Sequence, residues 1–230
     1  MEPKAMKIKW YGHAAFIITA SDGVSVITDP YTPETSGYQP IGDVPDVVLT
    51  SSLNDDFHDR SDLILGDPVR INMLDVARSG GEIEAAGLVF KGIESSEMYE
   101  HPYHEPDKCA MYRWEMDGIS IGHMGDVGNP FTEAEFAFFE GLDVFLVLAG
   151  DVPTIRLPDL KQVIDRVQPK LVIPMHFRTL RYKPRNMQWI TAFLQHFNDA
   201  DVDFQSNWEV ELSQEALPES TRVLVLTHAL

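Results

Sequence analysis

Three short apolar runs in this chain break off at residues that can do chemistry. Residues 46–50 lead into Asp55 and Asp56, residues 119–121 into His123 and Asp126, and residues 171–174 into Met175 and His176. Runs that hardly alternate apolar with polar residues read as strands buried on both faces. Such strands need cover on both sides, from a second sheet or from helices. Side chains at the C-terminal ends of neighbouring strands converge, and that edge is where α/β sheets bind ligands. Pro169 and Pro174 bracket the last run and fix where it starts and stops.

The rest of the pattern agrees. Residues 7–10, 14–19 and 24–28 read as short strands, with Ser21-Asp22-Gly23 as a turn. Residues 69–73, 81–86 and 88–93 continue the β pattern. Residues 110–116 and 119–121 flank Asp117-Gly118, a strong hairpin signal. The second half alternates helix and strand. Residues 132–140 read as a helix opened by a capping box, Thr132 with Glu135 three positions on. Residues 157–167 are amphipathic, residues 184–197 read as helical from Pro184, and 208–212 and 222–226 as closing strands. Sheets covered by helices are the expected outcome.

The length of 230 residues suits one domain, 1–230, with residues 1–5 as an unpatterned extension. Thirty-six acidic residues against 18 basic give a net charge of -18, a field that repels phosphate backbones and argues against nucleic acid as a partner. A single cysteine, Cys109, fits a reducing compartment and reads as a packing residue. With no apolar leader and no run long enough to span a bilayer, a cytoplasmic protein without membrane association is expected. Self-association is left open.

Several segments resemble the metallo-β-lactamase superfamily. Tyr11-Gly12-His13-Ala14-Ala15-Phe16 followed by Thr28-Asp29-Pro30 looks like its opening. Ile121-Gly122-His123-Met124-Gly125-Asp126 resembles its H-x-G-D strand end, and Gln168-Pro169-Lys170-Leu171-Val172-Ile173-Pro174-Met175-His176 resembles the P-K-x-V-I-P-M-H signature of the branch containing ascorbate-6-phosphate lactonase. The resemblance implies an αββα sandwich of two mixed sheets covered by helices. The family's T-H-x-H-x-D-H loop is degenerate. In Thr50-Ser51-Ser52-Leu53-Asn54-Asp55-Asp56-Phe57-His58 only Thr50 and Asp55 match, and Ser51, Leu53 and Asp56 stand where the three His would be.

In the family one metal is held by two His of that loop and a third from mid-chain, whose matching position here is Glu97. Leucine cannot coordinate and a neutral serine is a poor zinc ligand, so that centre is expected to be lost. The other centre maps onto Asp55, Asp56, Asp126 and His176. The resemblance thus implies one divalent ion, with Mn, Fe, Zn and Mg all open, and catalytic roles for Asp55 and Asp126. His13, His58, Glu97, His101, His104 and His123 are accessory candidates, His58 and the pair His101/His104 as substitute ligands. Arg178 is a candidate anion contact for the substrate. The expected activity is hydrolysis of an ester, lactone or phosphoester of a small molecule through a metal-activated water. The alternative is a catalytically silent relative kept as a binding or scaffold protein.

Overall fold

The computed structural model describes residues 4–53, 55–98 and 107–229. Fourteen strands run in the order β1 (Ala5–Gly12), β2 (Ala15–Thr19), β3 (Ser25–Thr28), β4 (Val47–Thr50), β5 (Val69–Asn72), β6 (Glu82–Ala85), β7 (Leu88–Ser96), β8 (Lys108–Met116), β9 (Ile119–His123), β10 (Val144–Leu148), β11 (Leu171–Met175), β12 (Val202–Phe204), β13 (Glu209–Ser213) and β14 (Arg222–Val225). Among the described residues five α-helices join them: α1 (Pro33–Ser36), α2 (Met73–Arg78), α3 (Glu133–Phe138), α4 (Leu157–Val167) and α5 (Ile190–Leu194).

The strands form two mixed sheets. The first has the order β13-β1-β2-β3-β4-β5, and the second β12-β14-β11-β10-β9-β8-β7-β6. In the first sheet alternate residues face opposite cores. Phe16, Ile18, Val26, Val47 and Leu49 pack into the layer shared with the second sheet, while Ala15, Ile17, Ile27 and Val48 face a smaller core. That period of two is what the pleat imposes. The smaller core is closed by Tyr31, Tyr38, Ile41, Ile64 and Tyr182 from connecting segments. The expected sandwich is present, and on this outer face the described residues place the short, four-residue α1. In β10 and β11 every residue is buried, as the apolar runs required.

Local chemistry accounts for the elements that sequence reading located. Asp117 and Gly118 both have positive φ, 50° and 76°, the backbone that a tight two-residue hairpin requires. The Thr132 hydroxyl accepts from Glu135 N, and Glu135 reaches back to Thr132 N, completing the capping box of α3. In α4, Leu157, Leu160, Val163 and Ile164 form one buried stripe, and Gln168 closes the helix in the left-handed conformation before Pro169.

Three expectations need correction. The patterned chain starts earlier than Met6, since Ala5 already pairs with Ser213. Met73, read as the end of a strand, instead opens α2, whose start is capped by Asn72 accepting from Leu74 N and Asp75 N. The helix expected over 184–197 is confined to α5, because the preceding residues are pinned in extended pairings: Gln188 N donates to Gly150 O, and Arg178 N donates to Gln188 O. Among the described residues no helix is long and apolar enough to cross a membrane.

Candidate metal centre

The C-terminal ends of β1, β3, β4, β7, β9 and β11 meet at one edge of the sandwich. Three residues there, His13, Asp29 and His176, take the left-handed conformation with φ of 52°, 37° and 54°. Non-glycine residues seldom adopt it, and they persist where the surrounding structure over-determines them. The backbone is fixed across the two sheets: His176 N donates to His13 O at 3.0 Å, and Ala110 N to Ser51 O at 2.8 Å. Gly125 lets the chain turn toward Asp126, since a Cβ there would stand 2.1 Å from Ala110 O.

Two overlapping sets of metal-capable side chains occupy this edge. His13, His58 and His176 form one; Asp55, His58 and Asp126 form the other. Within each set, ligand atoms lie within 4.8 Å of one another. His58 Nε2 is 3.3 Å from His176 Nε2 and 3.6 Å from Asp126 Oδ1, and Asp126 Oδ1 is 3.2 Å from His176 Nε2. A turn closed by Asp59 N donating to Asp55 O brings Asp55 and His58 to the same side. The other His58 nitrogen, Nδ1, is held by Asp29 Oδ2 at 2.9 Å. Asp29 also accepts from Ser51 Oγ and from the Tyr112 hydroxyl. A carboxyl on Nδ1 aims the Nε2 lone pair at the cluster, the usual support of a metal-binding imidazole.

The electrostatics mark a place for a cation. Burial opposes charge on His58, yet Asp126, Asp29 and Asp55 together push its imidazolium up to about 10. Burial also opposes charge on Asp126, but the neighbouring His58 and His176 hold its carboxyl below the ordinary range. Burial raises Asp55, with His58 pulling the other way. Burial, then His176 and His58, holds His13 well below the usual imidazole value, and its buried Nδ1 has no hydrogen-bond partner among the described residues. Two imidazole nitrogens 3.3 Å apart beside a carboxylate need a proton or a metal between them. The donor set of nitrogen and oxygen fits a divalent ion.

The remaining sequence candidates fall in different places. Asp56 does not join the cluster: its side chain is 53% exposed and bonds to Arg60 and Thr32. It follows Asp55 on the outside of the turn, and His58 occupies the place expected for it. Glu97 lines the cleft, where Ser52 Oγ donates to it at 2.5 Å; burial, reinforced by Asp126, pushes its carboxyl up to about 7. Both nitrogens of His123 are engaged, Nε2 with Ala14 O and Nδ1 with Gly125 N, so it supports the edge from behind. Arg178 is turned away, with its guanidinium over the Trp189 ring at 4.7 Å. His101 and His104 lie outside the described residues. Ser51 is fully buried against Asp29, and Leu53 is 46% exposed on the cleft wall. Cys109 is buried, as a packing residue should be. Sequence reading did not assign Asp29 a role; its signal was Thr28-Asp29-Pro30 at the end of a buried strand.

The cluster forms the floor of a cleft of about 880 Å³, the size of a small-molecule site. Its walls include Phe57, Met98, Tyr182 and Met187. A fold of two mixed sheets with a His/Asp cluster at the strand ends defines a metallo-β-lactamase-like protein. A family model described as a beta-lactamase superfamily domain matches residues 7–176, and the chain belongs to that family. Its relatives include a UPF0173 metal-dependent hydrolase from Nanoarchaeum equitans, 29% identical over 196 residues, covering 76% of this chain and 85% of the relative. A UPF0173 protein from Pyrococcus abyssi is 25% identical over 193 residues, covering 76% and 84%. Among solved structures, a proposed Zn-dependent hydrolase of the metallo-beta-lactamase superfamily from Thermotoga maritima is similar with a TM-score of 0.76 and 29% identity, covering 97% of this chain and all of that one.

Proposed function

We propose that this chain is a metal-dependent hydrolase that holds one divalent ion between Asp55, His58, Asp126 and His176, with His13 alongside. The observation that carries the reading is the meeting of His58 Nε2, His176 Nε2 and Asp126 Oδ1 within 3.6 Å, on a floor open to a cleft. Two imidazoles with two carboxylates favour Mn, Fe(II) or Zn over Mg, which prefers oxygen ligands. A second centre has little to hold it: Ser51 is committed to Asp29, and Leu53 offers no ligand atom.

A divalent ion in this place supplies Lewis acidity toward an ester-type carbonyl or phosphoryl oxygen and acidifies water. The protein's own groups do the rest. Asp29 orients His58, and Ser51 and Tyr112 orient Asp29. Asp55 and Asp126 are the carboxylates at the cleft floor able to take a proton from attacking water. Glu97 is held by Ser52 on the wall, and burial, then Asp126, pushes its carboxyl up to about 7, a range in which a carboxyl can exchange a proton with a leaving group. The open cleft also favours an enzyme over a silent relative, because Leu53 has not closed over the cluster.

The test is elemental analysis of protein purified without added metal, paired with an anomalous-scattering map. One equivalent of Mn, Fe or Zn at the four named residues is expected, with ester hydrolysis abolished by chelator and restored by that metal. A protein that binds no metal at these residues after reconstitution refutes the reading.

A further inference from the structure

We infer that the cleft takes an uncharged substrate, a neutral ester, lactone or amide carrying an apolar arm, and discriminates against phosphoesters and other anionic substrates. The inference rests on the hydrolase reading of the same site and narrows it by substrate charge.

The first observation is that carboxylates outnumber cations around the cleft. Asp55, Asp126, Glu97 and Asp107 all face the cleft. Among the described residues, the basic side chains lining it are Arg78 and Lys108. Arg78 Nε is paired with Glu94 at 2.6 Å. Lys108 keeps its charge, since its Nζ donates to the neutral Ser96 Oγ at 2.8 Å, but it stands on the exposed rim, where water screens it. Arg178, which lies just past His176 in the chain, is stacked on Trp189 instead. An enzyme that binds a phosphate or carboxylate in a cleft ordinarily meets it with arginine, lysine or a helix N-terminus. Two aspartate ligands would already balance the charge of a divalent ion, and the chain as a whole carries -18. An anionic group entering this cleft would lose water without gaining a counter-charge.

The second observation is the apolar wall. Leu53 is 46% exposed within the cleft, and Met98, Phe57, Tyr182 and Met187 line it too. Leu53 stands where the family's motif has a metal-binding His, so an apolar surface has replaced a ligand. An exposed leucine beside two methionines and two aromatic rings suits an alkyl or aryl arm, and its burial by such an arm is favourable.

The experiment compares two esters that differ in charge alone: 4-nitrophenyl hexanoate and 4-nitrophenyl hydrogen adipate, with the same leaving group and reacting carbonyl. With the metal-loaded protein at low ionic strength, kcat/KM should be about tenfold or more higher for the hexanoate, the size expected of one unpaired like charge. The gap should narrow as salt is added and narrow again in Leu53→Lys. Equal or faster turnover of the adipate ester overturns the inference. If neither ester is turned over, hydrolysis of simple esters is removed from the proposed function, and calorimetric binding of hexanamide against adipic acid monoamide to the metal-loaded protein decides the inference separately. Tighter binding of hexanamide upholds it; equal or tighter binding of the acid overturns it.

Discussion

Asp29 Oδ2 lies 2.9 Å from His58 Nδ1, both side chains are fully buried, and neither residue belongs to the stretch of chain that holds the other. One comes from the end of β3 and the other from the turn after β4. Their contact fixes which His58 nitrogen faces the cleft. Asp29→Asn should therefore lower metal affinity about 10–100-fold, the usual effect of losing a carboxylate behind a metal-binding imidazole. Asparagine tolerates the left-handed backbone at this position, so the substitution leaves the turn in place. Competition with a chromogenic chelator measures the change, and unaltered affinity would remove Asp29 from the support of the site.

Asp55 and Asp56 are neighbours in sequence and should behave differently. Asp55→Ala and Asp126→Ala should each cost most of the bound metal. Asp56→Ala should keep the stoichiometry, because that carboxylate faces solvent and Arg60. Metal content per chain after identical purification is the measurement. Loss of metal in Asp56→Ala would restore the ligand set that the motif alignment implies.

Restoring the family's histidines should not create a second centre. Ser51 is fully buried and donates to Asp29 at 2.7 Å. An imidazole in its place overpacks the edge and removes a donor, which should destabilise by about 2–4 kcal/mol. Ser51→His with Leu53→His is expected to melt earlier and to bind no second zinc. A stably folded double variant with two zinc ions would mean that the vanished site survives as an open cavity.

Acid stability should depend on a carboxylate far from the cleft. Asp143 accepts from Ser120 N, Ser120 Oγ and Lys170 Nζ, joining the starts of β9, β10 and β11. Burial works against its charge, but Lys170 and Ser120 hold its carboxyl below the ordinary value. A depressed carboxyl stabilises above its unfolded value and loses that contribution as pH falls through its folded value. Asp143→Asn should thus cost about 1–3 kcal/mol near neutrality, and the difference from the parent should shrink below about pH 4. Denaturant midpoints across pH check this; a gap that stays constant into acid would locate the effect elsewhere.

Much of the architecture was legible because it rests on local rules. The Asp117-Gly118 hairpin, the Thr132–Glu135 capping box and the apolar runs that became β4, β9, β10 and β11 each carry their structure within a few residues. That Asp126 and His176 follow buried strands and come to one edge was legible in the same way. His58 was named as a substitute candidate, but that it and not Asp56 would face the cluster was not legible, because a degenerate motif says which residues changed and not how the loop recoils. The turn closed by Asp59 N and Asp55 O decides that, and it depends on Asp29 waiting across the sheet edge. The false helix over 184–189 failed for a related reason. Its backbone is claimed by Gly150 and Arg178, which are distant in sequence.

The bonds from His176 N to His13 O, Ala110 N to Ser51 O and His123 Nε2 to Ala14 O each run from one sheet to the other. The proposed ligands straddle the same line, Asp55 and His58 on one side, Asp126 and His176 on the other. An ion gripped by all four would act as a rivet between the halves of the molecule. Its binding energy then doubles as cohesion, because only the assembled halves bind it tightly. Stripped of the ion, the protein should part first along this line, and amides of the strand ends that meet there should lose their protection from hydrogen exchange before those in the middle of β10.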